Sequence, residues 1–292
     1  MGINTSSIQH LVELHNLGYL KEAKSVLDIG ATELHIKKND LKELLQSIGK
    51  DLSLIDKFPN IDNWPKAPRT SSKYLYEFLL NTKEYSSLDL NGLHGAIKHD
   101  LNKPLLDKKL FNKYDLVTDF GSCEHVFNVS EAYRTLHNLT KNKGIIIIDQ
   151  VVFGGNGYFT FDKSFLEGIA AANDYTVING SYIIVLKDKT KDGSDLQYHI
   201  PLSKNLLNTI DFSKIKSIGI SMTFQKTSDK EFLIPYQGNH MEKIYGVAGF
   251  NRFYLKDHIG YSYIKSNVRE VEEVSFFQLV KEFFRRLFKK FN

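Results

Sequence analysis

The chain has 292 residues, a formal net charge of +4, 42% hydrophobic and 25% charged residues, and one cysteine. That is the composition of a globular protein long enough for one large domain. It excludes an internal disulfide, and the modest charge does not by itself point to nucleic acid.

Apolar residues at helical spacing, Ile8, Leu11, Val12, Leu14, Leu17 and Leu20, predict a helix over 8–20. Ser25-Val26-Leu27-Asp28-Ile29 then reads as a short buried strand. It stops at Gly30-Ala31-Thr32, where small residues let a backbone turn approach a ligand. Open α/β sheets bind ligands at this carboxyl edge of their strands. The stretch 35–70, with Pro59, Pro65 and Pro68 around the single Trp64, is too long for a plain connection and reads as an insertion or lid. A helix follows over 72–80, then strands over 85–89, 96–100 and 114–119. A helix over 130–140 leads into a fifth strand over 145–152, followed by a helix over 163–173 and a strand-like run over 175–186. Residues 187–194 read as a surface loop. The runs 215–225 and 232–236, flanking Thr227-Ser228-Asp229-Lys230, predict an antiparallel hairpin. Strands alternating with helices argue for an α/β fold with a mostly parallel sheet covered on both faces. With no composition shift to mark a boundary, 1–265 is read as one domain and 266–292 as a C-terminal extension.

No apolar run approaches the roughly 20 residues of a membrane span, and MGINTSSIQHLVELH lacks the basic start and apolar core of a secretory leader. A cytoplasmic, reducing setting is therefore expected.

Three acids stand at or near the ends of successive strands: Asp28, Asp89 and Asp100. Carboxylates at that edge can accept hydrogen bonds from ribose hydroxyls or an adenine amino group. The simplest dinucleotide fingerprint is excluded, because it needs three glycines and an acid about 20 residues on.

With these residues in place, the chain resembles class I S-adenosylmethionine-dependent methyltransferases over about residues 22–240. VLDIGATE, with Asp28, Gly30 and Ala31, is similar to their first motif, where the glycine lets the backbone approach the methionine part of the cofactor. Asp89-Leu90 in EYSSLDLNG matches the acid that binds the ribose, and Asp100-Leu101 in IKHDLN the pair that meets the adenine. YDLVTDFGSCEHVFN, with Gly121, and LHNLTKNKGIIII are similar to the fourth and fifth strand segments. Within that superfamily, DLN, CEHVFN and GYFTFDKSFLEGIAAANDY resemble bacterial members associated with surface-polysaccharide biosynthesis. The resemblance implies a Rossmann-like, doubly wound, seven-strand-type sheet and S-adenosyl-L-methionine as cofactor. It also implies O-methylation of a sugar or glycan precursor. Another small molecule or a lipid as acceptor, or a cofactor-binding subunit without catalysis, stay open.

A hydroxyl acceptor benefits from a base within hydrogen-bond reach. His125, just after the fourth strand, is the first candidate, with packing at a helix start as its alternative role. Asp149 and Gln150, ending the fifth strand, are next. Without His-x-x-x-His or Cys-x-x-Cys spacing, a zinc site is not expected.

The C-terminal segment between Phe276 and Phe291 segregates Phe276, Phe277, Val280, Phe283, Phe284, Leu287, Phe288 and Phe291 from Lys281, Arg285, Arg286, Lys289 and Lys290. Such a basic amphipathic helix either lies at the inner membrane face or docks on protein.

Overall fold

The computed structural model describes residues 2–189, 195–202 and 211–235. The boundary at 265 and the basic amphipathic segment lie outside them. Ten strands are present among the described residues: β1 (Gly2–Ile3), β2 (Ser25–Ile29), β3 (Glu33–Leu34), β4 (Glu84–Asp89), β5 (Ile97–Lys98), β6 (Tyr114–Phe120), β7 (Thr140–Phe153), β8 (Thr176–Lys189), β9 (Asp195–Pro201) and β10 (Ile215–Gln225). The α-helices are α1 (Thr5–Asn16), α2 (Lys38–Leu44), α3 (Ser72–Leu80), α4 (Val129–Leu139) and α5 (Lys163–Ala172).

Eight strands form one sheet in the order β5-β4-β2-β6-β7-β10-β8-β9. The run from β5 to β7 is parallel. β10 lies antiparallel between β7 and β8, and β8 pairs antiparallel with β9. The fold is thus mixed α/β, mostly parallel, with a C-terminal antiparallel hairpin. The hairpin, however, is β8 with β9. Residues 215–225 do form a strand, but its partners are β7 and β8, and 226–235 contain no strand. Asn173 explains why: its Oδ1 accepts from Leu233 N at 2.8 Å and its Nδ2 donates to Leu233 O at 3.1 Å, so one side-chain amide serves that backbone in place of a ladder.

β2 is central because every residue of it is buried on both faces. Leu27 and Ile29 pack with α4 and α5 residues such as Leu136, Leu166 and Ile169, whereas Val26 packs with Leu11 of α1 and Leu75 and Leu79 of α3. Helices therefore cover both faces, as the alternation of elements predicts. α1 starts at Asn4, whose Oδ1 accepts from Ser7 N at 3.1 Å. It ends earlier than its apolar spacing suggests, because Gly18 takes φ 93° and turns the chain. Leu17 is consequently exposed, while Leu20 is buried beyond the turn.

The 35–70 stretch contributes α2 and two 3-10 turns, and its Ile36, Leu41, Leu45, Ile55 and Ile61 are buried in the same core as α1 and α3. The third predicted strand shrinks to the two exposed residues of β5.

Candidate functional site

From β2 the chain moves outward to β4 and β5, then returns across the sheet to β6 and β7. The strand order reverses between β2 and β6. Outside the carboxyl ends of two such strands their connections diverge and leave a crevice.

Three turns line that edge. Gly30 (φ 96°) follows β2, and its N–H donates to Leu88 O at 2.7 Å. Ala31 N–H donates to Asp89 Oδ2 at 2.8 Å, which brings the acid ending β4 against the turn ending β2. The other oxygen of Asp89 accepts from Asn91 N at 3.1 Å. Each carboxylate oxygen carries two lone pairs, so each keeps one acceptor site free of these bonds. Gly121 (φ 80°) follows β6, with its N–H on Asp149 O at 2.9 Å. A Cβ placed on Gly121 would meet nothing within 4 Å, so the backbone there borders open space. The Ser122 hydroxyl donates to Ile29 O and ties the β2 and β6 turns together.

The expected cofactor residues do not all face this edge. Gly30, Ala31, Asp89 and Gly121 converge on it, and Leu90 stands beside Asp89 with 70% of its surface exposed. Asp100 lies on the next connection, where its Oδ1 accepts from Asn102 N at 3.0 Å and Asn102 Nδ2 at 2.9 Å. The Asn102 bonds hold its carboxyl below the usual range, with Lys103 helping. The Leu101 side chain turns into the core. Asp28 is a correction. Its side chain is 0% exposed and lies on the α3 face of the sheet. Ser72 Oγ (2.5 Å), Tyr76 OH (2.9 Å), Tyr85 OH (3.0 Å) and Thr118 Oγ1 (2.5 Å) all donate to it. Burial raises its pKa and the four hydroxyls oppose the rise. Asp28 fastens α3 to β2, β4 and β6 and has no surface toward a ligand.

The catalytic candidates differ in setting. His125 sits on the 3-10 turn Cys123–His125, exposed, its Nε2 3.5 Å from Glu124 Oε1. It does not pack against a helix start. Asp149 lies on the α1 face of β7, where Ser7 Oγ donates to its Oδ2 at 2.9 Å while Oδ1 is buried without a partner. Burial pushes its pKa up to about 6, with the Ser221 and Ser7 hydroxyls opposing. Gln150 points to the other face, where its Nε2 donates to Asp119 Oδ2 at 2.5 Å.

Asp119, Glu124 and Glu33 are functional candidates that the sequence reading passed over. Asp119 is fully buried at the end of β6, and its Oδ1 accepts from Ser122 N (2.8 Å) and Cys123 N (3.3 Å). Burial raises its pKa to about 6 against those bonds. It shapes the turn that carries His125. The Glu124 carboxylate accepts from Val151 N at 3.2 Å, and burial raises its pKa. Glu33, just past the glycine turn, accepts from Arg69 Nη1 (3.0 Å) and pairs with His94 Nε2 (3.1 Å). Burial pushes Glu33 up, but these two partners outweigh it and hold the carboxyl low. Asp119 carries the same signal as Asp89, an acid ending a strand. The partners of Glu33 lie 36 and 61 residues away, and nothing local announces them.

The DLN and EHVFN stretches meet: Asn128 N donates to Asn102 Oδ1 at 2.9 Å and Asn128 Nδ2 to Asn102 O at 3.1 Å. Beside this link Phe127 and Tyr158 stand largely exposed, edge to face at 6.2 Å. Among the described residues, no group of three or more His, Cys, Asp or Glu converges to hold a metal ion, and no helix is long and apolar enough to cross a membrane.

No family model matches the chain, and no curated protein does. Solved structures resemble it at low identity. An S-adenosylmethionine-dependent methyltransferase from Archaeoglobus fulgidus is 12% identical, covering 76% of this chain and 94% of its own, with a TM-score of 0.38. The 1,6-didemethyltoxoflavin-N1-methyltransferase of Burkholderia thailandensis, solved with 1,6-didemethyltoxoflavin and S-adenosylhomocysteine, is 14% identical, covering 77% of this chain and 78% of its own, with a TM-score of 0.38. The [4+2]-cyclase SpnF is 11% identical, covering 76% and 82%, with a TM-score of 0.39.

Proposed function

We propose that the chain is an S-adenosylmethionine-dependent methyltransferase acting on a hydroxyl of a sugar or glycan precursor. The observation that carries the cofactor is the Asp89 carboxylate. It is held by Ala31 N, on the turn that ends β2 beside the point where strand order reverses, and by Asn91 N, and it keeps acceptor capacity for a pair of ribose hydroxyls. The open space above Gly121 and the small-residue turn at Gly30 leave room for the rest of the nucleoside and its amino-acid tail. S-adenosylmethionine, when bound, supplies a methyl group already activated on a sulfonium.

The protein's own part is then to align the acceptor and take its proton. A hydroxyl that accepts a methyl group would have to give up its proton to a base within hydrogen-bond reach. Asp149, with a pKa near 6, is ionised at neutral pH and more basic than an ordinary carboxylate. His125 is the exposed alternative, and Asp119 holds its turn through Ser122 N and Cys123 N. A second reading, an acceptor with an apolar part such as a lipid, is favoured by the exposed Phe127, Tyr158 and Leu106.

Calorimetry tests the proposal. Binding of both S-adenosylmethionine and S-adenosylhomocysteine is expected, and a chain that binds neither refutes it. A chain that binds both, yet releases no S-adenosylhomocysteine with any glycan or lipid acceptor, is the binding subunit without catalysis.

A further inference from the structure

Large aromatic side chains are ordinarily drawn inside, because each has much apolar surface to remove from water. Phe127 and Tyr158 are instead 76% and 74% exposed, and they stand together, ring centroids 6.2 Å apart and planes at 89°. They come from different segments. Phe127 follows the turn that ends β6, two residues past His125, and Tyr158 lies on the segment that follows β7. β6 and β7 are parallel neighbours, so both segments leave the carboxyl ends of their strands, the edge that Asp89 and Gly121 line.

The backbone under the rings is fastened. Phe159 N donates to Glu124 O at 3.2 Å, and Phe161 N to Val151 O at 2.7 Å. Gly157, just before Tyr158, lies so close to Glu124 that a Cβ would stand 2.7 Å from its O and 2.8 Å from its Cβ and Cγ. On the other side Asn128, next to Phe127, is bonded twice to Asn102. Phe159, packed on the core, backs Phe127 at 6.4 Å. Exposed rings on a fastened backbone make a wall set before any ligand arrives. Its area limits what covers it. Three-quarters of two aromatic side chains is on the order of 300 Å², whereas a partner protein takes about 800 Å² from each side. Its border narrows the choice further. Exposed polar residues flank each ring along its own segment, His125 and Asn128 beside Phe127, Asn156 and Thr160 beside Tyr158. An acyl chain needs apolar surface that runs on, and along both segments it stops there.

We propose that Phe127 and Tyr158 are the wall of the acceptor subsite, against which a pyranose ring packs with its hydroxyls turned to the polar residues at the border. The inference rests on the methyltransferase reading and names the residues that recognise the acceptor. The face of an aromatic ring carries the negative part of its quadrupole. Sugar C–H bonds, drawn positive by the oxygens beside them, are attracted to it. A pyranose presents such C–H bonds on one face and its hydroxyls around the rim. It therefore asks for aromatic surface with a few polar groups at the border, which is what these two segments supply. Two ring planes at right angles form a corner, and a corner fixes orientation where a single flat ring would let the sugar turn. The wall also stands two residues from His125, which puts a bound acceptor beside one candidate for its base.

The test uses the full chain with S-adenosylhomocysteine in excess and follows saturation-transfer NMR titrations. The probes are the methyl pyranosides of glucose, galactose, mannose and rhamnose, with phenylethanol and hexanol as aromatic and aliphatic controls. At least one glycoside is expected to bind the parent more tightly than either alcohol. It should weaken by about 10-fold or more in Phe127→Ala and in Tyr158→Ala, the scale of one lost aromatic contact. Both rings are exposed, so the melting temperature and the affinity for S-adenosylhomocysteine should not move. Phe127→Tyr keeps the ring and should keep the glycoside, whereas Phe127→Leu keeps only apolar surface and should lose it. Failure of every glycoside to bind the parent overturns the proposal, as does equal binding to the parent and both alanine variants. Undiminished binding to Phe127→Leu also overturns it, since bare apolar contact would then suffice. An alcohol that outbinds every glycoside overturns it in favour of a lipid, if hexanol, or an aromatic acceptor, if phenylethanol. Glycoside binding without any binding of S-adenosylhomocysteine would sink the cofactor reading and spare the wall.

Discussion

Replacing Asp89 separates the two tasks its carboxylate performs. Toward the protein it accepts from Ala31 N at 2.8 Å and Asn91 N at 3.1 Å; toward the crevice it offers its remaining acceptor capacity. Asp89→Ala strands the N–H of the buried Ala31, which costs about 1–3 kcal/mol of stability. Asp89→Asn retains one acceptor oxygen and should cost less. Binding should follow a different order. Hydrogen bonds to a charged acceptor are worth about 1.5–3 kcal/mol, so losing the charge should weaken S-adenosylmethionine by about 10- to 100-fold in both variants. Calorimetry gives the affinity, and urea melts of the free proteins give the stability. Equal loss of affinity in Asn and Ala, with unequal loss of stability, is the expected signature. Affinities within about threefold of the parent in both variants would refute the ribose assignment, whatever happens to stability.

Three further perturbations follow from the geometry. At Gly121 a Cβ meets no atom within 4 Å, so Gly121→Ala should cost only the left-handed backbone, about 1 kcal/mol in a urea melt; a loss above about 3 kcal/mol would mean the turn is crowded after all. Asp119 has a folded-state pKa raised from 3.8 to about 6, so the folded protein holds its proton more tightly than the unfolded chain. Stability should therefore fall as pH rises from about 4 to 6, by on the order of 3 kcal/mol, and stay low above that. Asp119→Asn should reduce this slope in pH-dependent melts, leaving the part due to Asp149, Asp28 and Glu124, which are shifted the same way. His125 is exposed, with its Nε2 3.5 Å from Glu124 Oε1, so His125→Ala should leave the melting temperature unchanged. Turnover should drop by about 10²-fold if His125 is the base, and unchanged turnover assigns the proton to Asp149.

The central strand and its turn were legible because β2 is short, uniformly apolar and cut off by small residues. Asp28 shows where such reading stops. It lies between Leu27 and Ile29, so the two-residue period of a strand turns it to the opposite face from both. That period was in the sequence. Its four hydroxyl partners, on α3, β4 and β6, were not, since they lie 44 to 90 residues away. β10 was legible as a strand and illegible in its pairing. Its apolar alternation says that it is half buried, but not that it slots between two strands begun 75 and 39 residues earlier. The polar face of α1 was hidden behind the apolar spacing of Ile8, Leu11 and Leu14, which satisfies the helix pattern while saying nothing of Ser7 or His10.

The place of β10 bears on how the protein is made. A ribosome delivers β7, β8 and β9 before residues 215–225 exist to join them, and the seam between β7 and β8 stays open until then. Two long strands meanwhile present bare N–H and C=O groups along Ile145–Ile148 and Tyr182–Ile184, stretches rich in isoleucine. Nascent chains stalled short of Gln225 should therefore be chaperone clients and prone to pair with one another, whereas the finished chain closes its own seam.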